Sequence, residues 1–240
     1  RPVAVTGDIR VSVFPRIEAR AGATTVANPE GFGDAPFASM GELRAAVKLW
    51  PLLSRRVEID EFILVEPKIS LIALADGSNN WTFKPAPKPQ PTEPREPTRP
   101  VRASLGDLRI IDGSVTFDDR KAGQIHRLDD LDMNADMEAM DKPFRIRASG
   151  LANDLAFEIT SRIENPQSLI DGSASPVDLK VQTELLEAAM EGDVVLGESP
   201  SYDLRFDGSA PSITALADRF QVTDLPARAA LGQVIAKGRL

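Results

Sequence analysis

The chain is predicted to be a mainly β protein, an antiparallel sheet with two or three short helices. Two observations predict it. Apolar residues recur at alternate positions, as in Ile9-Arg10-Val11-Ser12-Val13, the period of a strand with one face turned from water. Clusters of Gly, Pro, Asn and Asp punctuate that alternation, roughly every ten to fifteen residues in the second half, as in a meander. With 240 residues the chain can bury a core as one large β domain or two smaller ones.

Taken in order, the first strand carries Ile9, Val11 and Val13 on one parity and stops at Pro15. Ala45, Val47 and Leu49 alternate with Arg44, Ala46 and Lys48. Helix competes with strand over Met40–Leu53, because Leu43, Val47 and Trp50 also follow the i, i+4, i+7 spacing of a helix face. Val57, Ile59, Ile63 and Val65 share one parity, broken only by Glu61, and Ile69, Leu71 and Ala73 follow. Turns are expected at Asn28-Pro29-Glu30-Gly31, Gly33-Asp34-Ala35-Pro36 and Asp76-Gly77-Ser78-Asn79.

Residues 84–100, KPAPKPQPTEPREPTRP, form a proline-rich linker. Near-alternate prolines remove backbone donors, favour extended polyproline conformation and offer little to bury. Replacing it with a short Gly-Ser link is expected to leave stability nearly unchanged. Beyond it the strand rhythm resumes. Leu108 and Ile110, the pair Asp112-Gly113, then Val115 and Phe117 read as a hairpin. Strands are predicted around Phe144-Ile146, Leu155-Phe157-Ile159, Val177-Leu179-Val181, Val194-Leu196 and Leu204-Phe206. Short helices are predicted at Asn165–Ile170 and Pro211–Phe220. The expected organisation is a β segment over 1–83, a linker over 84–100 and a second β segment of the same sheet over 101–240.

A net charge of −8 opposes nucleic-acid binding, which needs a basic stripe against phosphates. It also opposes adsorption to anionic lipid surfaces, while leaving apolar contact with single lipids open. The absence of cysteine removes disulfides, thiol nucleophiles and Cys-type metal sites. No apolar run approaches the ~20 residues of a membrane span.

The chemistry-bearing residues do not converge. His126 is the single histidine and reads as a solvent-facing strand residue, so no His₃ or His₂-Glu zinc site is available within the chain. Asp130, Asp132, Asn134 and Asp136 have the first spacings of a calcium loop, but Ala135 stands where glycine must turn the chain and Asp141 where a glutamate belongs. Leu131, Met133, Ala135 and Met137 alternate with them, which describes an amphipathic strand. The neighbours Asp118-Asp119 and Asp129-Asp130 read as turn residues rather than an acid–base pair. No nucleophile elbow, P-loop or dinucleotide fingerprint occurs. No catalytic residue, cofactor or metal site is assigned, and the protein is not expected to be an enzyme. Trp50 and Trp81 are read as turn-packing residues, with a membrane-interface role as the alternative.

The stretch from Leu43 to Phe83 carries a further signal. Pro51-Leu52-Leu53, then Pro67-Lys68-Ile69, then Asp76-Gly77 and Asn80-Trp81 resemble the N-terminal region of the AsmA family. Thr6-Gly7, Phe14-Pro15-Arg16 and Ala27-Asn28-Pro29 resemble its opening, and Asp112-Gly113-Ser114-Val115, Pro143-Phe144, Asn165-Pro166 and Leu225-Pro226 continue the order more weakly. The resemblance implies strand through Leu49 and one helical turn at Pro51–Arg55. It also implies a periplasmic protein anchored in the inner membrane by a helix just upstream, acting in outer-membrane biogenesis and lipid homeostasis. The chain begins at Arg1-Pro2 without Met and is read as an excised piece.

Family and physics meet in one expectation. An antiparallel sheet with one apolar face must cover that face, and with few helices to do so the face binds apolar ligand or partner. A curved, groove-like sheet is therefore expected, its partners lipid, through acyl chains, and the membrane. Its lining is expected at Val11, Val13, Val47, Val57, Ile59, Ile63, Ile69, Leu71, Ile110, Phe117, Met133, Phe144, Phe157 and Ile159. A structural or scaffold module that binds another envelope protein is the competing reading.

Overall fold

The computed structural model describes residues 2–14, 16–53, 58–82, 104–196, 200–212, 215 and 234–239. Among them are sixteen strands and two five-residue helices, α1 (Leu49–Leu53) and α2 (Pro166–Ile170). Val57, most of the helix expected at Pro211–Phe220 and the proline-rich stretch 84–100 lie outside the described residues. The chain packs as two compact units, Arg1–Asp130 and Leu131–Leu240.

In the first unit the strands are β1 (Val3–Val5), β2 (Ile9–Ser12), β3 (Arg16–Ala21), β4 (Thr24–Val26), β5 (Ala38–Met40), β6 (Glu42–Lys48), β7 (Glu58–Val65), β8 (Lys68–Ala73) and β9 (Ser104–Asp119). β10 (Gln124–Met137) begins in this unit and ends in the next. Consecutive short strands behave as one long strand with a break. β3 and β4 face β6 and β5 in one unbroken antiparallel register, from Arg16 opposite Lys48 to Val26 opposite Ala38. β6 and β5 face β7 and β8 in antiparallel fashion too, Glu42 opposite Val65 and Ala38 opposite Ile69, with one register shift between Ala46 and Val47.

β7 and β8 then pair with β9 in parallel, Glu58 beside Ser104 and Ala73 beside Asp119. The expectation of antiparallel pairing therefore fails at two of the ladders. A parallel partner requires a long connection, and residues 74–103 supply one.

The breaks fall in line across the strands and form a crease. Glu66 (φ 49°) and Asp112 (φ 52°) are left-handed at equivalent places in β7–β8 and β9. Backbone bonds flank them, Glu66 N–H to Ile111 O at 2.8 Å and Ser114 N–H to Pro67 O at 2.7 Å. Gly41 sits opposite, donating to Val65 O at 3.0 Å. At the edge Gly7 and Gly22 meet so closely that a Cβ on Gly7 would stand 2.6 Å from the Gly22 Cα. Asp112-Gly113, expected as a hairpin turn, thus lies inside β9. The left-handed conformation that suits Asp in a turn serves the crease instead, and the reversal to β10 is at Arg120–Gly123.

The apolar pattern changes phase at the crease. Phe62 and Leu64 precede it on even positions and Ile69 and Leu71 follow on odd ones; Leu108 and Ile110 give way likewise to Val115 and Phe117. One extra left-handed residue shifts the alternation by one, so the apolar residues stay on one side.

A second irregularity corrects the parity expected for β7. Ala46 faces Glu61, yet Val47 faces Ile59, so Asp60 is bulged. Beside it β9 carries Gly106, where a Cβ would lie 2.5 Å from the Asp60 carbonyl oxygen. Ile59 and Ile63, expected on one face, are consequently on opposite faces.

The second unit is an antiparallel meander of β11 (Phe144–Ala152), β12 (Leu155–Ile163), β13 (Ser175–Thr183), β14 (Glu187–Val195), β15 (Ser201–Ala210) and β16 (Val234–Arg239). Asn153 and Asp154, both with positive φ, make the two-residue turn between β11 and β12. α2 forms where Asn165-Pro166 predicts it. The Asn165 side chain accepts from Ser168 N–H at 3.1 Å, and Pro166 stands in the first turn. The buried Ser175 Oγ accepts from Asn165 N–H at 2.9 Å, tying helix to β13. The acidic run beyond Asp130 is strand, Leu131, Met133, Ala135 and Met137 alternating with exposed Asp132, Asn134 and Asp136.

Candidate functional site

Register assigns each side chain to a face. In the first unit one row reads Ile9, Ala21, Leu43, Leu64, Ile110, and the next Val11, Ala19, Ala45, Phe62, Leu108. Ile17, Val47 and Ile59 form a third. Across the crease the same side continues as Val26, Ala38, Ile69, Val115 and then Leu71 beside Phe117. Trp81 meets Phe117 edge-on at 5.8 Å, and His126 stacks on it at 6.1 Å.

The opposite face is a charge ladder. Glu18, Ala46, Glu61 and Asp107 lie in one row, Arg20, Arg44, Ile63 and Arg109 in the next. Arg16 donates to Asp60 at 2.9 Å, Glu18 at 2.9 Å and Glu61 at 3.2 Å. Its guanidinium is raised above the ordinary arginine value, chiefly by Asp60 and then Glu18. Arg20 and Arg16 hold Glu18 below the usual carboxylate range, and Arg44 does the same for Glu42.

Burial inverts the usual order. Ala46 (1 % exposed) and Ile63 (4 %) are the most enclosed apolar residues of β2, β3, β6 and β7, and both lie among the charges. Arginine stems shield apolar surface while their heads stay wet. The apolar face itself is open: Val11, Val13 and Ile9 are exposed, and Val47, Ile59, Phe62, Leu64 and Ile110 are only half-buried.

Asn80 explains the Asn-Trp pair of the sequence. It is fully buried and caps the part of β8 beyond its short pairing with β5: its Oδ1 accepts from Ile72 N–H at 2.8 Å. Its Nδ2 donates to Ser70 O at 2.7 Å and to Asn28 Oδ1 at 2.8 Å. The Asp76-Gly77 turn brings it there, with Asp76 accepting from Ser78 N–H at 2.9 Å. The Ser78 hydroxyl, and after it that backbone bond, keep the Asp76 carboxyl below its ordinary range.

In the second unit Phe144 faces Ile163, Ile159 faces Val181, and Phe157 lies between Gly150 and Thr183. Leu179, Met190 and Phe206 extend that apolar side. Phe144, Phe157 and Ile159 are half-buried, and Met133 is half-buried on β10. The other side carries the ladder Arg162, Asp178, Glu191, Arg205, Arg239 around a hollow of about 350 Å³. There Arg239 Nε donates to Asp203 at 2.6 Å and holds its carboxyl low.

Of the expected lining, Val11, Val47, Ile59 and Ile110 share the apolar side of the first unit with Ile69, Leu71 and Phe117 beyond the crease. Val13 is exposed just past β2. Ile63 is on the charged side, and Val57 lies outside the described residues. Phe144, Phe157 and Ile159 share one face of the second unit. Sequence reasoning left out Ile9, Leu43, Phe62, Leu64 and Leu108, and in the second unit Val181, Leu179, Met190 and Phe206. Alternation carries the signal for all of them once the bulge at Asp60 is known.

Among the described residues no group of three or more His, Asp or Glu is placed to hold a metal ion. None of their helices is long and apolar enough to cross a membrane. Comparison with curated proteins and with solved structures yields no match. The AsmA family model covers residues 1–218, most of this open sheet, and the chain belongs to the AsmA family.

Proposed function

We propose that this chain is a non-enzymatic periplasmic module that holds lipid acyl chains against its apolar sheet faces. One observation carries the reading. In both units most large apolar side chains on one side of a sheet stay exposed or half-buried, among them Val11, Phe62, Leu64, Phe144 and Phe157, although Leu155 and Leu204 are buried, while the polar Asn80 and Ser175 are enclosed completely. A closed structural core reverses that order. Each methylene buried on such a face contributes about 0.8 kcal/mol, so a half-covered tail binds without polar contacts. The crease supports a groove over a flat face, since it gives the apolar side of the first unit a line on which to bend. Family membership points to the cell envelope and to outer-membrane biogenesis, and an inner-membrane anchor on the full-length protein fits that setting.

Lipid extraction and mass spectrometry of protein purified without detergent tests the proposal. The expected result is phospholipid at a stoichiometric level. Phe157→Asp is expected to fold, because residue 157 is only half-buried, and to lose that lipid, because an ion among methylenes is strongly disfavoured. Wild-type protein free of lipid refutes the reading. Unfolding of the Phe157→Asp variant favours a closed structural module instead.

A further inference from the structure

We propose that one end of the first unit's sheet docks on a lipid bilayer, with Val13, Phe14 and Trp50 entering its interface. All three are largely exposed, at 65, 76 and 72 %. They are also neighbours in the fold. Val13 and Phe14 lie where β2 turns into β3, and Trp50 lies on α1 directly after β6. Arg16 stands opposite Lys48, so both turns leave the sheet at the same end.

The two ends of this sheet differ in chemistry. The connections at the other end are 27–37, 74–82 and 120–123. They expose Glu30, Asp34 and Asp76, with Arg120 and Lys121, to water, while their aromatic residues Phe32, Phe37 and Trp81 are half-buried. The Phe14 end exposes its aromatic residues, and the cations beside them, Arg16 and Lys48, are already paired with Glu18, Asp60 and Glu58. An indole and a phenyl ring on turns suit the headgroup boundary of a bilayer. The net charge of −8 gives no electrostatic attraction to anionic lipid, so insertion of apolar groups must supply the binding. Val13 also continues the parity of Ile9 and Val11 on the apolar face. That continuity gives a tail leaving the bilayer an apolar path onto the sheet, if the sheet holds acyl chains as proposed.

Trp81→Phe leaves Trp50 as the sole tryptophan. Vesicles of phosphatidylethanolamine and phosphatidylglycerol with brominated acyl chains are expected to shift its emission to the blue and quench it. The Trp50→Phe counterpart, reporting from Trp81, is expected to show neither. Phe14→Asp and Trp50→Asp should each weaken vesicle co-sedimentation by about tenfold or more, with circular dichroism and melting unchanged. Unshifted Trp50 emission, or co-sedimentation undiminished in both variants, overturns the proposal. Self-association lost in Phe14→Asp, with vesicle binding intact, overturns it in favour of a second copy on this patch. Protein that docks but carries no lipid refutes only the acyl-chain reading, and protein that carries lipid but ignores vesicles refutes only the docking.

Discussion

Shortening the connection between β8 and β9 is the sharpest test of the fold. Asn80 is bonded beside Ser70 and Ile72, and Ser70 pairs with Thr116. The chain therefore leaves the described loop, at Thr82, near the level of Thr116. It re-enters the sheet at Ser104, beside Glu58. Twelve strand steps separate those levels, at most about 40 Å at roughly 3.3 Å per residue. The 21 residues of 83–103 reach about 70 Å when extended, ample for the return. A five-residue Gly-Ser link reaches about 20 Å and cannot make it. Composition matters less, since loop-closure cost varies slowly with length and sequence. A 21-residue Gly-Ser replacement should therefore stay within about 1 kcal/mol of the wild type, and the five-residue link should lose more than about 4 kcal/mol. Urea denaturation measures both, and hydrogen exchange of β9 amides locates the loss. A short-linked protein with full stability and protected β9 amides refutes the parallel pairing. The outcome also reverses what the sequence suggests, namely that a proline-rich spacer can be shortened freely.

Three further outcomes follow from named contacts. Asn80→Ala strands the Ile72 N–H and the Ser70 carbonyl at the β8 edge and is expected to cost about 2–4 kcal/mol in urea; a loss under about 1 kcal/mol means water replaces the side chain fully. Glu66→Val forces a β-branched residue into the left-handed crease and should cost about 1–2 kcal/mol, whereas Glu66→Gly should be nearly neutral; equal effects in thermal melts count against the crease. Glu18 titrates below the ordinary range because of Arg20 and Arg16, so its share of stability is present above that range and fades as pH falls through the lowered folded value. Arg16→Gln should move its carbon-13 titration midpoint upward and flatten the acid limb of stability; an unmoved midpoint removes Arg16 as a cause.

Alternation made most of the strands legible, because a half-exposed sheet writes its period directly into the chain. The Asn165-Pro166 start of α2 was legible for a similar reason, since its cap depends on adjacent residues. The failures share a different cause. Asp112-Gly113 has the same local chemistry in a turn and in a crease, and only the left-handed Glu66 beside it, 46 positions away, decides between them. The bulge at Asp60 depends on Gly106 giving room across the sheet. Parity read through Asp60 therefore put Ile63 with Ile59 and passed over Phe62 and Leu64. Parallel pairing leaves no mark in either strand. The apolar side was visible as a pattern, but its openness depends on what covers it, which no local window records.

The constant offset of 46 positions between β7–β8 and β9 also bears on the order of folding. Hairpins such as β11–β12, closed by two residues, form early because little chain must be gathered. The β7–β8 edge has no such neighbour. During synthesis it waits, with its backbone donors and acceptors unpaired, until Asp119 has emerged. Unpaired edges in incomplete chains recruit foreign strands. The opening half of this protein is therefore most vulnerable to aggregation while the proline-rich stretch is still being made, an interval in which a chaperone bound to that edge has the most to protect.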